Sequence, residues 1–208
     1  NGMDVARTAP WKLAAIRAVL PQISTIAFPF TAIEVVQIGL LSGAEADNGS
    51  RAQAALARVG LSQHAHTFYQ ELSGGEHQRV QLARVLAQIW HPVGPEGPNW
   101  LMLDEPVSSL DIALQLLVMQ IAQRFAKEGG RVFAVMHDLN LTGLFADAVV
   151  VMKEGRILAS GPPSTVMTDE ILSSAYGCDL RTNTPPKEPV PFILPHTAGL
   201  NVGGDASF

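Results

Sequence analysis

Two stretches of this chain carry residues that could act together on a phosphate. The first is Leu72-Ser73-Gly74-Gly75-Glu76, followed by His77-Gln78-Arg79-Val80. The second is Leu101-Met102-Leu103-Asp104-Glu105-Pro106, followed by Ser108, Ser109, Leu110 and Asp111. Glycines in the first turn of a helix let backbone N–H groups approach an anion at the positive helix end. An apolar strand that ends in two carboxylates can hold Mg²⁺ through one of them, Asp104, and polarise an attacking water through the other, Glu105. Each stretch also has a plainer explanation. Ser73 with Glu76 three residues on is a capping box, and Asp104-Glu105 could be a solvated pair at a strand end. The capping box does not account for two glycines, which weaken a helix by up to about 1 kcal/mol each. The apolar Leu-Met-Leu before Asp104 and the proline after Glu105 favour a built site over a solvated pair.

Other polar residues fall at places where such a site would need them. His137-Asp138 follows a second apolar run, Arg131–Met136, so a ring that could hydrogen-bond a phosphate again stands at the carboxyl end of a strand. A strand-end histidine satisfied by its neighbours is the alternative. Gln22 follows a third expected strand end and says little alone. Asp111 could cap a helix or pair across a subunit boundary. Gln78 and Arg79 are expected to serve loop contacts or solvent. His64-Ala65-His66 has no second ligand pair near it in sequence, so a surface loop is the reading there. Trp11, Trp90 and Trp100 are too scattered for a base-stacking platform and are expected to pack in the core or an interface. One residue set is missing: no Gly-x-x-x-x-Gly-Lys-Ser/Thr occurs, and none of Lys12, Lys127, Lys153 and Lys187 follows a glycine.

The elements that must position these residues can be read from punctuation and period. A short strand is expected to end at Leu20, before Pro21-Gln22. Thr31 caps a helix carrying Ile33, Val35, Val36 and Ile38. Ser42–Ser50 reads as a polar loop, and Arg51–Val59 as a helix stopped by Gly60. Residues 73–89 form a long helix with Val80, Ala83, Val85, Leu86, Ala87 and Ile89 on a wide apolar face. The prolines and glycines of His91–Asn99 predict a loop. Trp100–Leu103 is a buried strand, Ser109–Lys127 a helix ended by Gly129-Gly130, Arg131–Met136 a strand, and Asp138–Phe145 a helix. Ala148–Met152 and Ile157–Ala159 are strands around a hairpin turn at Lys153–Arg156. Thr168 caps a short helix to Ala175. The proline-rich segment after Arg181 is expected to be poorly ordered. Strands alternating with helices imply an α/β fold with a largely parallel sheet.

Composition narrows the function classes. The 208 residues suit a domain of ordinary size, and 47% of them are hydrophobic. A formal net charge of −5 argues against nucleic acid as a partner, because phosphate backbones want a basic face. No apolar run approaches the roughly 18–20 residues of a membrane span. Cys178 is the lone cysteine. It cannot form an internal disulfide, fits a reducing compartment, and is expected to be buried as a small apolar residue.

Taken in order, Gln22, Leu-Ser-Gly-Gly-Glu at 72–76, Leu-Met-Leu-Asp-Glu-Pro at 101–106, Ser-Ser-Leu-Asp at 108–111 and His137 resemble the motifs of ABC-transporter ATPases. The resemblance spans residues 1 to about 180. It implies a P-loop NTPase-like, largely parallel sheet, here incomplete, with an inserted α-helical subdomain. Residues 1–27 and 89–180 would be the ATPase core, 28–88 the helical subdomain with the signature motif, and 181–208 a C-terminal extension. It implies ATP and Mg²⁺ as cofactors. Gln22 would touch Mg²⁺ and the membrane subunit. Ser73, Gly74 and Gly75 would meet the γ-phosphate of ATP on the opposite subunit. Asp104 would be the metal-binding aspartate, Glu105 the catalytic base, Asp111 an aspartate of the subunit interface and His137 the histidine that senses the γ-phosphate. The implied partners are a second copy of the subunit, transmembrane permease subunits and, indirectly, a substrate-binding protein. The implied location is the cytoplasmic face of a bacterial inner membrane.

Ala18–Gln22, Phe28–Thr31, the Pro/Gly stretch at 91–99, His137–Leu141, Gly161-Pro162-Pro163 and Tyr176-Gly177 are similar to the hemin-importer members of that family. Ferric siderophore and cobalamin are the alternative cargoes. His77 stands where the family commonly has glutamine, and Val107 and Ser109 are mild variants. The family's phosphate loop is expected upstream of Asn1. A truncated product that keeps only partner docking is therefore the competing reading. Chromosome-maintenance or translation ATPases share the Ser-Gly-Gly motif, but Gln22 and Ser73 are 51 positions apart, too close for a long coiled-coil insert.

Overall fold

The computed structural model describes residues 2–22, 26–41, 49–108 and 110–198. By the density of its contacts the chain divides into two units, one built on Asn1–Met136 and one on His137–Gly199.

The first unit is organised around three parallel strands. Helix α1 (Pro10–Ile16), not expected from the sequence, starts with a proline whose fixed φ suits the first helical position. It leads into β1 (Arg17–Leu20). Helix α2 (Ala32–Leu40) is capped as expected, by a reciprocal box between Thr31 and Glu34. Helix α3 (Ser50–Arg58) ends ahead of Gly60, whose φ of 71° is left-handed. The loop expected at 42–50 lies mostly outside the described residues. Helix α4 (Gly74–Gln88) buries Val80, Leu82, Ala83, Val85, Leu86 and Ala87. Against that face pack Val35 and Val36 of α2 and Ala52, Ala55 and Leu56 of α3, all fully buried. A Cβ on Gly39 would stand 2.2 Å from the Arg84 carbonyl oxygen, so α2 can lie this close to α4 only with glycine there.

The segment expected as a loop at 91–99 contains a miniature antiparallel hairpin, β2 (Val93–Gly94) and β3 (Gly97–Pro98). Gly97 takes a φ of 103°, and the Asn99 amide donates to the His91 carbonyl at 2.8 Å, closing the loop. Then come β4 (Trp100–Asp104), α5 (Ile112–Lys127) and β5 (Arg131–Val135). The sheet order is β1-β4-β5, with β4 parallel to both neighbours. Leu101 and Leu103, in the central strand, are essentially inaccessible. Near the carboxyl end of β4, Leu103 lies beside Leu20 of β1, and Asp104 beside Val135 of β5. α5 begins three residues later than expected, because Asp111 serves as its N-cap. Ser109 lies outside the described residues.

The second unit contains α6 (Leu139–Phe145), the antiparallel pair β6 (Val149–Lys153) and β7 (Arg156–Gly161), α7 (Pro163–Val166) and α8 (Asp169–Tyr176). Its hairpin turn places Glu154 and Gly155 at φ 50° and 74°, the pairing that matches strand twist. Gly177 ends α8 in the left-handed conformation. Cys178 follows it and is exposed, contrary to expectation, because it lies beyond the cap and outside the helix whose face buries Leu172. Between Arg181 and Ala198 a 3₁₀ turn at Pro195–Thr197 is the regular element among the described residues. Among the tryptophans, Trp11 departs from the expected packing and Trp90 does not. Trp11 is 70% exposed, whereas Arg58 lies 3.7 Å above the Trp90 ring.

Candidate nucleotide site

The carboxyl end of β4 presents Asp104 to solvent, with Glu105 directly after it. Ligands bind at this end of strands in open α/β sheets. Glu105 has a φ of 48°, a left-handed backbone that few non-glycine residues adopt. Its N–H donates to the Val135 carbonyl at 3.1 Å, which continues the β4–β5 ladder one residue past the strand. The Gln22 amide donates to Glu105 Oε2 at 2.7 Å. Two expected site residues from distant parts of the chain are thus brought into direct contact. The carboxylates of Asp104 and Glu105 and the carboxamide of Gln22 are hard oxygen donors, the chemistry that suits Mg²⁺.

The N-terminus of α4 shows a complete capping box. Ser73 Oγ accepts from the Glu76 N–H at 3.4 Å. Glu76 Oε2 accepts from the Ser73 N–H at 2.8 Å and from its hydroxyl at 2.7 Å. These two bonds hold the Glu76 carboxyl below the usual carboxylate range, with smaller help from the charges of His64 and Arg79. His64 Nε2 approaches Glu76 Oε1 at 3.5 Å. His64 therefore lies against the first turn of α4, and among the described residues no group of three His, Cys, Asp or Glu could hold a metal. The capping box and the glycines coexist. A Cβ on Gly74 would meet nothing within 4 Å, and one on Gly75 would touch only Leu110, at 3.6 Å. The packing of this chain does not demand glycine at 74, so its use leaves open surface at the positive end of α4.

The residues next in the signature helix make definite contacts. His77 hydrogen-bonds the Tyr69 carbonyl through Nε2, and its ring lies 4.3 Å from the Tyr69 ring. Arg79 donates to the Val59 carbonyl at 3.1 Å. Gln78 reaches out of α4 to the chain just after Glu105, donating to the Pro106 carbonyl at 2.7 Å. Sequence reasoning foresaw a loop contact for Gln78 but not which loop, and nothing in local sequence marks the left-handed backbone of Glu105.

Asp111 accepts from the Leu114 N–H at 2.9 Å and caps α5. His137 is exposed and opens the second unit, where Asp138 caps α6 by accepting from the Leu141 N–H at 2.9 Å.

Comparison with known proteins gives this arrangement a family. The family described as "ABC transporter" matches residues 2–108. The chain is 58% identical over 198 residues to the hemin import ATP-binding protein HmuV of Roseobacter denitrificans, covering 95% of this chain and 76% of that protein. It is 54% identical over 202 residues to the protein of the same name from Rhizobium meliloti, covering 96% and 77%. Among solved structures it is similar to an inward-facing putative metal-chelate type ABC transporter, with a TM-score of 0.66 and 22% identity over 77% of this chain. It spans 63% of the length of that transporter chain. It is also similar in fold to an ATP-binding cassette solved as a dimer in a post-hydrolysis state with ADP and Pi, at a TM-score of 0.65 and 24% identity, covering 78% of this chain and 69% of that one. The chain belongs to the ABC transporter family, as an ATP-binding domain of it.

Proposed function

We propose that this chain is part of an ATPase subunit that energises import of hemin across a bacterial inner membrane. The cargo is supported by the names of the relatives, which are hemin import ATP-binding proteins at 58% and 54% identity. The chemistry is supported by one observation above the others, the hydrogen bond that joins Gln22 to Glu105 beside Asp104. In this reading Glu105 takes the proton of a water whose oxygen attacks the γ-phosphorus of ATP. The bond to the bridging oxygen breaks, and ADP and phosphate leave. Gln22 orients the Glu105 carboxylate. Asp104 and Gln22 would hold Mg²⁺, which when bound offsets phosphate charge. His137 would hydrogen-bond the γ-phosphate. Ser73, Gly74 and Gly75 would meet ATP held by a second copy, across an interface to which Asp111 contributes.

The proposed organisation is an ATPase core from 1–27 and 89–180, a helical subdomain at 28–88 that docks on permease subunits, and an extension at 181–208. Helices and 3₁₀ turns are the regular elements among the described residues of 28–88. A substrate-binding protein would act on the permease from the other side. No helix among the described residues is long and apolar enough to cross a membrane, which suits a peripheral subunit on the cytoplasmic face.

The test is calorimetric titration of Mg-ATP into this chain and into the chain extended upstream through a phosphate loop. Binding by the extended chain alone, with turnover lost in Glu105→Gln, is expected. Equal binding by both would overturn the role given to the phosphate loop. Absence of turnover from the extended chain assembled with a permease would favour a fragment that only docks.

A further inference from the structure

The segment after β4 is gripped by main-chain carbonyls in succession. The Gln78 amide lies 3.4 Å from the Glu105 carbonyl oxygen and 2.7 Å from that of Pro106. The Ser108 hydroxyl donates to the Glu105 carbonyl at 3.3 Å. The Gln115 amide donates to the Val107 carbonyl at 3.3 Å. These bonds surround the one described residue of this segment in a left-handed backbone, Glu105. A non-glycine residue holds such a conformation only where its surroundings over-determine it, at a cost of order 1–3 kcal/mol.

Gln78 differs from the other two donors in where it comes from. Ser108 lies in the segment itself and Gln115 in α5, but Gln78 belongs to α4, one helical turn behind Gly74. The same helix touches the segment a second time, where Gly75 faces the buried side chain of Leu110. Both N–H groups of a carboxamide can donate, so one side chain can serve two successive carbonyls. Gln78 is partly buried and cannot swing away without leaving the Pro106 carbonyl short of a partner, whereas the Glu105 carbonyl keeps Ser108.

We propose that Gln78 is a positioning residue that ties the signature turn of α4 to the backbone of Glu105, so that engagement of the Ser73–Gly75 surface fixes the carboxylate for proton abstraction. The proposal rests on the reading of Glu105 as the base and of Ser73–Gly75 as a nucleotide-facing surface. A displacement of α4 along its axis moves the Gln78 amide, and with it the Glu105–Pro106 peptide that follows the Glu105 side chain. The coupling runs through two hydrogen bonds, from Gln78 to Glu105 and Pro106, and one packed contact, between Gly75 and Leu110.

Two measurements test it. The first uses the 208-residue chain and hydrogen exchange. Gln78→Met keeps the side-chain length and removes the donor. It is expected to speed exchange of the Ser108 and Leu110 amides by at least 5-fold while the amides of α4 beyond Val80 keep their rates. Unchanged rates at Ser108 and Leu110 would overturn the proposal at its structural step. The second uses the upstream-extended chain assembled with its permease in liposomes. Gln78→Met should lower kcat about 10-fold and leave the KM for ATP within 2-fold, with Gln78→Glu as poor. Combining Gln78→Met with Ser73→Ala should cost less than the product of the two single losses, because both act on one path. If Glu105→Gln abolishes turnover and Gln78→Met leaves kcat within 2-fold, the proposal fails alone. If Glu105→Gln leaves turnover intact, it is the underlying reading that fails.

Discussion

The end of β4 and the start of α4 belong to the same unit, and the fold treats them in opposite ways. At the end of β4, Glu105 is held at a φ of 48° by a ladder bond to Val135, an amide on its carboxylate from Gln22 and an amide on its carbonyl side from Gln78. At the start of α4, Ser73 has ordinary extended dihedrals, its capping box with Glu76 is complete, and the space around Gly74 is open. One site stores strain and restrains a single carboxylate. The other is locally relaxed and keeps its surface bare. A group that must take a proton needs a fixed direction, so its neighbours over-determine it. A surface that must receive an anion from another molecule needs satisfied caps and unobstructed N–H groups.

The sharpest way to break this contrast is to leave the shape of the strained end intact and remove its basicity. Glu105→Gln preserves the side-chain length and should lower ATP turnover of the upstream-extended chain by at least 10²-fold, within the range of a lost general base. Its Kd for Mg-ATP should stay within a few-fold, as read by calorimetry. Turnover within 10-fold of the parent would take the chemistry away from this end. Gln22→Ala removes the orienting amide and should cost about 10-fold in kcat, the scale of a misdirected rather than missing base. A Gln22→Ala variant with unchanged kcat would mean that the 2.7 Å bond to Glu105 is an idle contact.

Much of this contrast was readable before the structure, and the unread part has a common cause. The cap at Thr31, the capping box at Ser73 and the strand ending in Asp104 all follow from rules spanning four residues or fewer, whereas the helix capped by Asp111 was expected to start at Ser109. The helix face of α4 follows from a period. The Gln22–Glu105 bond joins residues 83 positions apart, and the Gln78–Pro106 bond joins residues 28 apart. No local rule ranks such pairs, so Gln22 was informative only through its place in an ordered motif set. The φ of Glu105 was hidden because left-handed backbone is signalled by glycine, and no glycine stands there. The small hairpin at 93–98 was hidden by the same prolines and glycines that correctly predicted turns. The helix at Pro10–Ile16 is only seven residues long, too short for its periodicity to stand out. Cys178 was misplaced because a residue-type tendency toward burial cannot see the helix cap beside it.

The open end of the comparison is tested by filling it. Gly74→Ala places a methyl group where this chain has nothing within 4 Å. In the 208-residue chain it should raise stability, by up to about 1 kcal/mol from helix propensity. In the assembled transporter it should lower turnover about 10-fold, because the methyl group would obstruct the backbone's approach to a phosphate. Opposite signs in the two measurements are the signature of a surface kept bare for a partner. A stabilised chain with normal turnover would reduce Gly74 to an ordinary helix-start residue.

The smallest effect concerns the cap itself and separates its stability role from nucleotide contact. Ser73→Ala removes the hydroxyl that donates to Glu76 and accepts from its N–H. A lost N-cap costs about 1 kcal/mol, which for a chain of this size lowers Tm by roughly 2–4 °C. The loss should depend on pH in a fixed direction. The Glu76 carboxyl is held below its ordinary value by bonds from Ser73, so its contribution is fully present above the unfolded carboxylate value, about 4.3. It disappears as pH falls through the lower folded value. Thermal unfolding of the two proteins should therefore differ most near pH 7, where the charged carboxylate accepts the hydroxyl, and the gap should narrow as pH falls below about 4. A gap that stays constant down to that pH would mean that the Ser73 hydroxyl stabilises α4 through the Glu76 N–H alone, and that the carboxylate arm of the capping box contributes nothing to folding.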